Sequence, residues 1–82
     1  MSNESPQISD DPMYRLLREG AVDEFNSRRA AGEGCNLEGC DFRTLDLRKL
    51  NAKGLDLSNC YFRQADLRGL DLSETNLEGA SI

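Results

Sequence analysis

The sequence predicts an all-β solenoid fronted by a short helical segment, and three observations carry that prediction. From Cys35 onward the chain divides into fives: CNLEG, CDFRT, LDLRK, LNAKG, LDLSN, CYFRQ, ADLRG, LDLSE, TNLEG and a final ASI. The third position of every unit is apolar, from Leu37 and Phe42 through to Leu77 and Ile82, and the first position is apolar or small. A second period of twenty lies on the first: Cys40, Phe42 and Arg43 recur as Cys60, Phe62 and Arg63, and Asp46-Leu47-Arg48 recurs as Asp66-Leu67-Arg68.

The repeat has a direct physical meaning. Side chains alternate along an extended segment, so positions one and three share one side, and positions two, four and five face away. The second position is Asp or Asn except at Tyr61 and Ser81, and the last two are charged, polar or Gly. One segment cannot bury its apolar pair alone, so successive segments must wrap and stack. A strict period of five at 3.6 residues per turn would smear the apolar positions around an α-helix. The period of twenty puts four segments in each turn. It also sets like residues in rows: Phe42, Phe62 and Ile82 in one, Leu37, Leu57 and Leu77 in another.

Ahead of the repeats, residues 1–10 read as a disordered tail rich in Ser, Asn and acids. Residues 11–32 read as a helical capping segment. Asp11 before Pro12 is a helix start, Met13, Leu16, Leu17, Val22 and Phe25 fall near one helical stripe, and Gly32 suits a C-terminal cap. Gly20 interrupts the stripe, which leaves open one helix with a weak point or two short helices. The apolar stripe is expected to cover the open end of the solenoid around Leu37, Phe42 and Leu47, because a bare end exposes unpaired backbone and apolar side chains. A helix that docks in a partner's groove is the rival reading.

Tandem units of the type ADLRG, LDLRK, LDLSN and TNLEG resemble the pentapeptide-repeat family over residues 35–82. The N-terminal segment VDEFNSRRA is similar to the helix of its small bacterial members. The resemblance implies a right-handed quadrilateral pentapeptide-repeat β-helix with four units per coil, here about 2.4 coils with an N-terminal α-helical cap. Two residues depart from the family pattern. Ala52 stands where Leu or Phe is preferred, leaving a corner thin or filled by a neighbour such as Leu72. Tyr61 stands where Asp or Asn is usual and sets an aromatic ring on the outside. The last rung, near Leu67, Leu72, Leu77 and Ile82, calls for a cover. A homodimer through that end and a C-terminal extension beyond Ile82 are both open.

Composition excludes most chemistry. The chain has 82 residues, no histidine and a net charge of −5. A Ser-His-Asp triad, a Cys-His pair and most zinc sites are therefore excluded, and no enzyme activity or cofactor is expected. The three cysteines, Cys35, Cys40 and Cys60, hold first positions and read as reduced core residues. Net acidity argues against direct nucleic-acid binding and against an anionic membrane. No secretory signal is visible, so a cytoplasmic location is expected.

The remaining signal lies on the outer face, where Arg43 and Arg63 form one row and Arg48 and Arg68 the next, with Asp46 and Asp66 between. A self-neutralising surface is one reading. A site for an acidic protein partner, with Tyr61, Arg43, Arg63, Arg48 and Arg68 in contact, is the other. The function expected is a non-catalytic structural or protein-interaction module with an unknown partner. The alternative, implied by the resemblance, is a DNA-mimicking regulator of an enzyme such as gyrase.

Overall fold

A computed structural model of the chain describes residues 6–82. Two short helices, α1 (Pro12–Arg18) and α2 (Val22–Ala30), precede a solenoid built from the five-residue units. Gly20 divides the helices at φ 82°. Both helices end in the same way. The N–H of Gly20 bonds the Leu17 carbonyl and that of Ala21 the Leu16 carbonyl; Gly32 and Glu33 do the same with Arg29 and Arg28. Each is a Schellman closure, which needs the left-handed residue that glycine supplies.

Each of the nine full five-residue units closes one tight turn. The N–H of the next unit's first residue bonds the carbonyl of the third, from Cys40 to Leu37 through to Ala80 and Leu77, at 2.8–3.3 Å. The fifth residue is the third residue of that turn, and all nine such residues have positive φ: Gly39, Thr44, Lys49, Gly54, Asn59, Gln64, Gly69, Glu74 and Gly79. Positive φ at that place is the signature of a type II turn. Four of the five residues belong to the turn, so only the second is left to pair. Parallel bridges accordingly join second positions twenty residues apart: Asp41 to Tyr61, Tyr61 to Ser81, Asp46 to Asp66, and Asp56 to Asn76. Among the described residues no paired run is long enough to be a strand. The expected all-β architecture is a stack of single bridges, because the turns leave no room for more.

Side chains at positions one and three fill the interior. Leu37, Cys40, Phe42, Leu47, Leu50, Ala52, Leu55, Leu57, Cys60 and Phe62 are buried. Phe42 and Phe62 stack with ring centroids 5.3 Å apart and planes at 7°. Ala52 is buried, and Leu72 packs against the same cluster. The Thr75 hydroxyl donates to the Ala52 carbonyl at 2.8 Å. Burial pushes the Cys40 thiol up to about 12 and the Cys60 thiol up to about 11, so both stay protonated.

The N-terminal segment lies on the first twenty residues of the solenoid. Met13, Tyr14, Leu17, Val22 and Phe25 are buried in the same cluster as Leu37, Phe42 and Leu47, with Leu16 partly buried against it. Tyr14 meets Phe42 edge-on at 5.4 Å and 76°. Polar contacts satisfy the outward backbone groups of this rung. Asp11 accepts from the Met13 N–H with one oxygen and from the Asn36 N–H with the other. The Tyr14 hydroxyl donates to the Asp41 carbonyl at 2.7 Å. The Asn26 amide donates to the Lys49 carbonyl and accepts from the Asn51 N–H, both at 2.9 Å, standing in for a paired backbone unit. Arg29 donates to the carbonyls of Asn51 and Lys53. Gln7, inside the segment that reads as a disordered tail, forms a parallel bridge to Cys40. It exchanges hydrogen bonds with Gly39 and Asp41. Residues 1–5 of that expected tail lie outside the described residues.

Thr44 is the one β-branched residue held at positive φ, 65°. Such a residue is strained there, whereas Asn visits the region readily. Thr44→Asn is expected to stabilise the fold by about 0.5–1 kcal/mol, a rise of several degrees in melting temperature for a chain this size. A lower melting temperature would contradict the turn assignment.

Candidate interaction face

The second residue of a repeat has two tasks. At Asp41, Asp46, Asp56, Tyr61, Asp66, Asn76 and Ser81 its backbone pairs across twenty residues, and in most repeats its side chain holds the repeat itself. In eight repeats, those with Asn36, Asp41, Asp46, Asn51, Asp56, Asp66, Asp71 and Asn76, a side-chain oxygen accepts the N–H two residues on at 2.9–3.3 Å. This local bond is why short Asp and Asn side chains suit the position. Tyr61 has no side-chain oxygen at that reach.

Where the fourth residue is Arg, the same carboxylate also receives the guanidinium. Arg43 forks onto Asp41 with Nε–Oδ1 2.9 Å and a second bond of 3.0 Å. Arg48 forks onto Asp46 at 3.0 and 2.8 Å, and Arg68 onto Asp66 at 2.9 and 2.8 Å. Arg48 also reaches Asp66 across the stack at 3.4 Å. The row of Asp46, Arg48, Asp66 and Arg68 is thus a closed lattice of alternating charge. Acids intervene between the stacked guanidiniums, so the repulsion that two like charges would suffer is absent.

The neighbouring row has the same frame with one change. Asp41 and Arg43 match Asp46 and Arg48, and Arg63 matches Arg68, but Tyr61 stands where Asp66 stands. Arg63 makes no ion pair among the described residues. It lines a hollow with Arg18, Asp41, Arg43, Thr44 and Gln64. With Arg43 it also borders a second hollow that includes Tyr61, Ser81 and Ile82. Of the five residues singled out from sequence, the structure brings Arg43, Tyr61 and Arg63 together here, with Arg48 and Arg68 on the adjacent side. Sequence reasoning missed Arg18, which arrives from the last turn of α1. No periodic signal in the repeats marks it.

Electrostatics follow the pairing. Hydrogen bonds from Arg43 hold the Asp41 carboxyl below the usual range against the opposing effect of burial. Those from Arg68 lower Asp66, and those from Arg48 take Asp46 down to about 2. Since the Asp46 carboxyl is more acidic in the fold than in an open chain, where it titrates near roughly 3.9, its ion pair stabilises the protein above that pH. The contribution fades as the pH falls through about 2. Side-chain NMR titration is expected to show Asp46 protonating near about 2 and, in Arg48→Gln, moving back toward roughly 3.9. An unshifted value in the variant would contradict the lattice.

At the far end of the solenoid, Leu67, Leu72, Leu77 and Ile82 line one apolar hollow with Leu47, Leu50, Leu57, Phe62 and Leu70. Ile82 is 80% exposed. Among the described residues, no group of three or more His, Cys, Asp or Glu is placed to hold a metal, and no helix is long and apolar enough to cross a membrane.

The family profile for pentapeptide repeats matches residues 33–64 and 46–82 in eight copies. No curated protein and no solved structure matches the chain. Turn, bridge and local side-chain lock recur at the spacing that this profile describes. The chain belongs to the pentapeptide-repeat family.

Proposed function

We propose that the protein is a non-catalytic interaction module. It is a right-handed quadrilateral β-helix of about 2.4 coils (48 residues, 35–82, at twenty per bridge interval), capped by α1 and α2, with the side bearing Tyr61, Arg43 and Arg63 turned to a protein partner. One observation carries the reading. Of the four arginines at position four, Arg43, Arg48 and Arg68 each fork onto the carboxylate two residues before them, and Arg63, which follows Tyr61, makes no ion pair among the described residues. A half-buried aromatic beside an arginine is the composition of an interface anchor. The gyrase alternative gains no support from the row of Arg48 and Arg68, whose charges are internally neutralised.

The test compares the wild-type protein with the Arg43→Ala/Arg63→Ala double variant as immobilised baits. Proteins retained by the first and released by the second are then purified and titrated directly. A partner whose affinity falls at least about tenfold in the double variant fits the loss of a charged contact. Equal binding to both baits would contradict this face.

The capping role rests on the Tyr14, Asn26 and Arg29 contacts with the first rung. Leu17→Ser/Phe25→Ser is expected to lower the melting temperature by well over ten degrees, since losing two buried apolar side chains costs about 4 kcal/mol or more. An unchanged melting temperature would end that role. The apolar hollow at the other end supports pairing with a second copy through Leu67, Leu72, Leu77 and Ile82. Light scattering across a concentration series is expected to show a dimer that Ile82→Asp dissociates. A monomer at every concentration would refute it.

A further inference from the structure

The two arginine rows form an internal comparison, and their one difference at the second and fourth positions points to a ligand. Both rows place an Asp at the second position and an Arg at the fourth in the first coil, and an Arg at the fourth in the next. In the row of Arg48 and Arg68, Asp66 receives both guanidiniums, at 2.8 Å from Arg68 and 3.4 Å from Arg48. In the row of Arg43 and Arg63, Tyr61 occupies that place and offers no carboxylate. The backbones are nevertheless locked in the same register, with the Thr44 N–H on the Arg63 carbonyl at 3.1 Å and the Asp41–Tyr61 bridge beside it. Arg63 is therefore held one rung from Arg43, and among the described residues no carboxylate pairs with it.

We propose that Arg63, Arg43 and Arg18 form a binding site for a phosphate monoester. The hollow they line contains three guanidiniums and one carboxylate, Asp41, so its local balance is 3 − 1 = +2 in a chain whose net charge is −5. Asp41 is buried and forked by Arg43, so it does not neutralise Arg63. A phosphate monoester carries between about −1.5 and −2 at neutral pH and presents three acceptor oxygens, which suits both the charge and the planar forks of arginine. A single carboxylate would meet half of that charge. The exposed Arg63 guanidinium is the lead contact, Arg43 the second, and Arg18 closes the side formed by α1. The site deepens the interaction reading when the phosphate is carried by a partner's side chain. It stands without that reading when the phosphate is free.

The experiment titrates inorganic phosphate, and separately a neutral peptide bearing one phosphoserine, into the full chain at low salt while following the arginine Nε–H resonances. Saturable shifts are expected at Arg63 and Arg43, with those of Arg48 and Arg68 unmoved. Tyr61→Asp rebuilds the closed lattice of the other row, so it is expected to fold with an equal or higher melting temperature. It should weaken phosphate binding by at least about tenfold, the loss of one charged contact. The converse change, Asp66→Tyr, is expected to bring phosphate-dependent shifts to Arg68. A peptide that binds more tightly than inorganic phosphate assigns the phosphate to a partner protein; equal affinity assigns it to a small molecule. Shifts of equal size in both rows, or unchanged binding in Tyr61→Asp, would overturn the site. Phosphate binding with no protein retained in the bait comparison would instead remove the interaction reading and leave the site standing.

Discussion

A short side-chain oxygen at the second position of eight of the ten repeats, accepting the N–H two residues further on, is the contact around which the molecule is arranged. The turn that follows uses positions three, four and five and the first residue of the next unit. That leaves the second residue as the one extended point of the repeat. Its backbone then pairs across twenty residues while its side chain fixes the entry to the turn. Neither interaction is large alone. Their repetition forces position one and position three inward at every corner, which is what builds a core from units too small to have one. Nine turns at positive φ are held with glycine at only four of them. The strain at Thr44, Lys49, Gln64 and Glu74 is offset by the surrounding turn and bridge hydrogen bonds.

Much of this was legible in the sequence because repetition averages over local accident. Leu37, Leu57 and Leu77 state an inward row more firmly than any one of them could, and the recurrence of Asp-Leu-Arg at 46–48 and 66–68 fixes the pitch by itself. The fifth position was less legible. Gly39, Gly54, Gly69 and Gly79 hint at positive φ, but Thr44 contradicts the hint, since tertiary pairing there overrides a β-branched preference. The N-terminal contacts were harder still. Leu17 and Phe25 show on a helical stripe, whereas Asn26 replacing a backbone partner, Tyr14 reaching the Asp41 carbonyl and Gln7 pairing with Cys40 are single events with no period. Arg18 belongs to the same class. Its place in the candidate site depends on how α1 sits on the first rung, which no local pattern encodes.

The charges follow from the same lock. A carboxylate already held by the N–H of position four lies within reach of the side chain of position four, so an Asp-x-Arg repeat neutralises itself with no added element. Surface ion pairs of this kind contribute little to stability one by one. Their consequence is to close each Asp-x-Arg unit on itself, so that an Arg unit without the Asp stands out. Tyr61 heads that unit. The residue keeps its bridges to Asp41 and Ser81, so the solenoid continues unbroken, yet the carboxylate expected by Arg63 and available to Arg43 is gone. A departure that keeps the backbone bridges and alters the charge pattern is the form that a binding site takes on a repeat scaffold.

Hydrogen exchange of the arginine Nε–H groups in the ligand-free protein, resolved residue by residue, reads this charge pattern at its source. Slowed exchange is expected at Arg43, Arg48 and Arg68, whose Nε atoms donate to Asp41, Asp46 and Asp66 at 2.9–3.0 Å. At Arg63, exchange is expected to be as fast as in an unstructured peptide. Protection of Arg63 equal to that of the other three would show that its charge is already satisfied within the fold, and would contradict the claim that Tyr61 leaves it open.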